Sequence, residues 1–170
     1  MPLYALVVAY AAWSEGDLVT AEAQFREGIA NLQAAGDRLN LGFFGPPLAR
    51  VLLDLDRDRD AEATLADFRD NRAVPTARAN GMSIAALIAA RQGDLAEALR
   101  LSAEADALVA PTDCLADQAD IALDRAEILL LAGRPDEAHA FAADALERFE
   151  RKEYAIGIRR AREFLAALPG

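Results

Sequence analysis

The phrase Gly16-Asp17-Leu18-Val19-Thr20-Ala21-Glu22 returns as Gly93-Asp94-Leu95-Ala96-Glu97-Ala98 and again as Gly133-Arg134-Pro135-Asp136-Glu137-Ala138. An eroded copy stands at Asp58-Arg59-Asp60-Ala61-Glu62-Ala63, and the copies begin 42, 35 and 40 residues apart. Each closes one apolar run of helical period and opens another. The repeating unit is therefore a helical hairpin. Hairpins of this length cannot bury their apolar faces alone, so they stack. Such arrays bind far more often than they catalyse.

The periodicity predicts nine helices. The first covers 3–14, with Leu3, Leu6, Tyr10 and Trp13 at helical spacing. Gly16 ends it and Asp17 caps the next, over 17–34. Gly36-Asp37 repeats that punctuation. The stretch 38–47 is irregular, either a kinked helix or a loop. Pro46 and Pro47 suit a first turn, so a helix is expected over 46–55. The fourth covers 58–71. Asn71 to Thr76 reads as a loop, with Thr76 as a cap. Five more follow over 77–91, 94–109, 113–131, 135–150 and 152–168. The fold class is all-α, a right-handed α-solenoid in one domain over 1–170. Its hairpins cover 3–35, 38–71, 77–109 and 113–150, and the helix 152–168 caps the last.

Composition agrees: 40 of the 170 residues are alanine, the best helix former, and only 6% are aromatic. The net charge of −10 repels phosphate backbones, so no direct nucleic-acid binding is expected. A single cysteine, Cys114, permits no intramolecular disulfide and suits a reducing compartment. The apolar run Pro2 to Trp13 contains Ala9-Tyr10-Ala11, which mimics a signal-cleavage site. The first basic residue of the sequence is Arg26, so the run lacks the charged start of a secretory signal. It is also too short to span a bilayer. The expectation is a cytoplasmic protein without membrane contact.

The repeated phrases resemble the tetratricopeptide repeat. That motif sets a small residue five positions after the turn glycine, an aromatic nine after and a small residue twelve after. The first copy has Gly16, Ala21, Phe25 and Gly28. The third has Gly93, Ala98 and Ala105, with Ser102 at the aromatic position. The fourth has Gly133, Ala138 and Ala145, with Ala142 there. The Trp-x-x-Leu-Gly of the family's first helix is missing: Ala5, Val8 and Ala9 stand in its place. The degenerate form is similar to the C-terminal repeats of bacterial signalling ATPases, LuxR-family regulators and nucleotide cyclases. The resemblance implies a non-catalytic module binding a peptide or partner domain, part of a larger regulatory protein.

Other chemistry finds little support in the residue pattern. The alternating acids Asp54, Asp56, Asp58 and Asp60 imitate a calcium loop, but Arg59 and Leu65 stand where that loop needs Gly and Glu. His139 and Cys114, the only ones of their kinds, are too few for a zinc site and read as packing residues. No phosphate loop, dinucleotide glycine pattern or nucleophile elbow occurs. No enzyme, metal or cofactor is expected. The basic run Arg148, Arg151, Lys152, Arg159, Arg160 and Arg162 is expected to pair with neighbouring acids and helix ends.

In a tetratricopeptide array the first helix of each hairpin lines a concave groove. The resemblance places Leu3, Leu6, Tyr10 and Trp13 there from the first hairpin. Asn80, Ser83, Leu87 and Arg91 come from the third, and Asp120, Leu123, Asp124 and Glu127 from the fourth. Such a groove, apolar at one end and acidic at the other, suits a segment with a basic residue beside an apolar anchor. Two alternatives stand beside it. One is an inducer sensor with a small ligand near Tyr10 and Trp13; the other is a structural or oligomerising array. The stripe Leu3, Tyr10 and Trp13 calls for an N-terminal neighbour or for self-association through the first hairpin.

Overall fold

The structure, a computed structural model, describes residues 2–68 and 75–168. Among these, the regular elements are all α-helical: α1 (Pro2–Glu15), α2 (Leu18–Ala34), α3 (Arg38–Leu41), α4 (Gly45–Asp54), α5 (Asp58–Phe68), α6 (Pro75–Arg91), α7 (Leu95–Val109), α8 (Leu115–Leu131), α9 (Pro135–Arg151) and α10 (Ala155–Ala167). No helix among the described residues is long and apolar enough to cross a membrane. The irregular stretch 38–47 proves to be the single turn α3, a reverse turn over 42–44 and the start of α4 with Pro46 in its first turn. Of the expected 71–76 loop, residues 71–74 lie outside the described residues. Thr76 sits inside α6 and does not cap it.

One turn recurs through the chain. Gly16, Gly36, Gly93 and Gly133 take positive φ, as do Asp56 and Glu153 at φ 56° and 53°. In each case the next amide reaches back over the turn. Asp17 N–H donates to Ala12 O, Asp37 to Leu32, Arg57 to Leu52, Asp94 to Ala89 and Arg134 to Leu129, all at 2.9 Å. Tyr154 donates to Phe149 O at 3.0 Å. This is the Schellman closure, which satisfies orphan carbonyls at a helix end and requires a left-handed residue. Three of these turns then start a helix on an aspartate. Asp17, Asp37 and Asp94 accept from the amides of Thr20, Asn40 and Glu97.

The turns correct the register of the eroded copy. The left-handed residue there is Asp56, two positions before the start of the phrase at Asp58. Between equivalent residues Gly16, Asp56, Gly93 and Gly133 the spacings are 40, 37 and 40. In this register Ala21, Ala61, Ala98 and Ala138 are equivalent, and all four are fully buried. Small residues at that position let the two helices of a hairpin approach closely.

The chain forms two compact units, Met1–Gly81 and Met82–Gly170, with the division inside α6. In the first unit α1 packs on α2, α2 on α4, and α4 on α5. Its core is aromatic: Phe25 meets Tyr10, Trp13 and Phe44 edge to face, with centroids 5.4, 6.4 and 6.4 Å apart. Gly28 leaves room for the Phe44 ring, which a Cβ would overlap. In the second unit α8 packs on α7, α9 and α10, and α9 on α10. Its core is mainly alanine and leucine, closed by Phe149. Gly157 of α10 seats against the Phe149 ring, again with no space for a Cβ.

Candidate interaction surface

Polar side chains about 40 residues apart tie α1 to α4, α6 to α8 and α8 to α10. In the first unit the Trp13 indole N–H of α1 donates to Asp54 Oδ2 of α4 at 3.1 Å. In the second, Ser83 Oγ of α6 donates to Asp124 Oδ2 of α8 at 2.7 Å. Arg91 of α6 holds Glu127 of α8 at 2.9 Å. Arg160 of α10 donates to Asp120 Oδ1 of α8 at 2.7 Å, and its second terminal nitrogen lies 3.6 Å from Asp124 Oδ1. Trp13 to Asp54 spans 41 residues, Ser83 to Asp124 also 41, and Asp120 to Arg160 spans 40.

These ties determine where the expected groove residues lie. Ser83, Leu87, Leu123 and Asp124 are 0, 2, 4 and 1% exposed. They form a buried seam between helices and line no open groove. Asp124 needs the seam: a carboxylate out of water is costly unless charge and hydrogen bonds compensate it, and here Ser83 and Arg160 do. Asp120 is covered as well, its side chain and that of Arg160 being 15 and 16% exposed. The acidic end is thus occupied by the guanidinium of α10. Arg91 and Glu127 remain at the rim, with side chains 29 and 33% exposed. Asn80 is half-buried and belongs to the first unit.

The apolar end is also filled. Trp13 is 3% exposed, and its ring stands in the aromatic core with a tilted contact to Tyr10 at 6.0 Å. Tyr10 and Leu6 are half-buried, and the side chain of Leu3 lies outside the described residues. The Trp13 ring is thus part of the packed core of the first unit.

The remaining candidates resolve locally. Arg57, between the alternating acids, binds Asp60 and reaches Glu22 of α2 at 2.7 Å. Cys114 and His139 are exposed, where packing residues are expected. Cys114 holds the N-cap position of α8 without a side-chain bond to the helix. Within the basic run, Arg148 pairs with Asp144 at 2.9 Å and Arg162 with Glu150 at 2.7 Å, beside the Arg160 pairs.

The exposed features that sequence reasoning passed over are apolar. Leu131, one turn after Glu127 on α8, is 49% exposed. Tyr4 and Val7 on α1 are 72 and 67% exposed. No protein-family model matches the chain, and no curated protein does either.

Proposed function

We propose that the chain is a non-catalytic protein-interaction module. In this reading it is a right-handed α-solenoid of tetratricopeptide-like hairpins, part of a larger bacterial regulatory protein working in the cytoplasm. One observation supports it above the others. The same closure and the same buried alanine recur at a spacing of one repeat, and the first helices of neighbouring hairpins are joined by side chains one repeat apart. A chain built by repetition presents an extended run of helix faces, and such surfaces serve binding.

The partner surface is the rim of the second unit, where Arg91, Glu127 and Leu131 are accessible. A partner segment with a basic residue beside an apolar anchor suits Glu127 and Leu131, which stand one turn apart on α8. The test compares the intact chain with a Glu127→Arg, Leu131→Asp double variant as bait in the source lysate. Both changes fall on accessible side chains, and unchanged helicity checks the fold. A protein held by the intact chain and lost by the variant supports the rim. Equal retention by both overturns it.

A further inference from the structure

The turn between α9 and α10 closes against a local preference. Glu153 holds the left-handed conformation at φ 53°, which a side-chain-bearing residue adopts unfavourably. Gly16, Gly36, Gly93 and Gly133 hold it without that penalty. The sequence around Glu153 favours continued helix. Between Pro135 and Gly157 there is no glycine or proline, and Glu150-Arg151-Lys152-Glu153 consists of straight-chain helix formers. What reverses the chain is the set of contacts that α10 makes after the turn. Gly157 seats on the Phe149 ring, Arg162 reaches Glu150 at 2.7 Å, and Arg160 reaches Asp120 of α8 at 2.7 Å. Among the described residues, Asp56 is the other non-glycine in this conformation, and its turn is held from both sides. Trp13 bonds Asp54 just before it, and Arg57 just after it bonds Glu22.

We propose that two copies of the chain exchange α10. In the exchanged form the turn at Glu153 straightens, and α9 and α10 join into one helix over 135–167. Each α10 then seats on α8 and α9 of the other copy. The seat determines its occupant. It takes a residue without a side chain against Phe149 and a cation against Asp120 and the buried Asp124, and a second copy supplies both at Gly157 and Arg160. The geometry closes on itself. Phe149 and Gly157 face each other and lie four residues to either side of Glu153. A two-fold axis at Glu153 therefore brings the same pair together across the copies. The contacts named above are made again, with Arg160 contributed by the other copy, and two strained turns are relieved per pair. The backbone loses no bond at the hinge, since in a continuous helix the Tyr154 amide passes from Phe149 O to Glu150 O. Opposing the exchange is the entropy of bringing two copies together, so its extent rises with concentration. The inference does not rest on the partner rim, and either can fail without the other.

The test is the mass of the full chain, refolded from urea over a wide concentration range and separated by size. Refolding is used because α10 must leave its seat before it can exchange. The unaltered chain is measured beside a chain carrying Cys114→Ser, Glu150→Cys and Arg162→Cys. These changes replace one exposed ion pair by two thiols on facing helices. A short bismaleimide then joins α9 to the α10 seated on it, and a denaturing gel reads the product. Both chains are expected to form a fraction at twice 18.2 kDa that grows with concentration. In the cysteine chain that fraction gives covalently joined pairs, and the single-mass fraction gives single chains. Glu153→Gly is expected to weaken pairing by about tenfold or more, because it relaxes both turns and weakens the continuous helix. Unchanged helicity of that variant shows that lost pairing is not misfolding. A single mass for the unaltered chain at every concentration overturns the inference. So does a double mass whose cross-linked chains still separate on the denaturing gel, which marks contact through another face. Pairing that Glu153→Gly leaves unchanged overturns it as well.

Discussion

α1 and α8 begin their hairpins in the same register, yet their outer faces differ. On α8 the positions Ile121, Asp124 and Ile128 are closed over, and on α1 the equivalents Tyr4, Val7 and Ala11 are open. The difference does not come from the hairpin itself, since both close with the same turn and bury the same alanine. It comes from the neighbours. α8 packs on α7, α9 and α10 and is tied by Ser83 to α6, whereas α1 packs on α2 and is tied by Trp13 to α4. A repeat therefore determines its own hairpin, while the neighbouring hairpin determines which of its faces are core. The chemistry follows the same division. A face covered on both sides can hold an acid if the cover supplies a cation, and Arg160 is that cation for Asp124.

The covered face of α8 depends most on Arg160. Arg160→Ala removes the cation from Asp120 and from the buried Asp124, and a loss of about 2–4 kcal/mol is expected in urea unfolding. Adding Asp124→Asn to that variant removes the stranded charge and recovers part of the loss. A double-mutant cycle reads the coupling directly. Gly157→Ala forces a methyl into the Phe149 ring, whose side chain is fully buried, so α10 must shift. The expected loss is about 1–3 kcal/mol, seen as a lower urea midpoint. Gly28→Ala against Phe44 is the matching change in the first unit.

The left-handed turns carry a smaller effect of opposite sign. Glu153 holds a left-handed conformation at φ 53°, which costs a side-chain-bearing residue about 1–2 kcal/mol. Glu153→Gly is expected to raise stability by about 1 kcal/mol, and Gly133→Ala to lower it similarly, by thermal unfolding. Nothing lies within 4 Å of a Cβ built at Gly133, so that loss is purely conformational.

The smallest effect is acid sensitivity. The hydroxyl and then the amide of Thr20 hold the Asp17 carboxyl below its ordinary value, and the guanidinium ions of Arg100 and Arg134 do the same for Glu97 and Glu137. A depressed folded value stabilises above the ordinary carboxylate values of 3.8 and 4.5 and is lost as pH falls below them. These groups are exposed, so the decline in urea midpoint is shallow, and added salt weakens the two arginine-paired contributions.

Most of the helix boundaries were legible in the sequence because glycine, aspartate and proline mark them. Gly16-Asp17 and Gly93-Asp94 combine the left-handed stop with the capping start, and both halves of that signal are local. The turns at Asp56 and Glu153 carry no glycine, which is why the eroded copy reads two residues out of register. The groove was less legible. A first helix with acids on one face looks solvated until the neighbouring helix is known, and Arg160 acts from 40 residues away. One trace was present: Asp124 stands between Ile121 and Ile128 on an apolar stripe, and an acid in that setting calls for a partner one repeat onward. Trp13 carried no such trace, since an aromatic at helical spacing serves a groove or a core equally well.

Thiol labelling tests the contrast between the two helices most directly. In a Cys114→Ser background, Ala11→Cys and Ile128→Cys place a thiol at the same register position of α1 and α8. In dilute solution under native conditions, rapid labelling at position 11 is expected. At position 128, labelling should be limited by unfolding and should accelerate with urea. Comparable native rates at the two positions would contradict the account, because the register would then not separate an open face from a covered one.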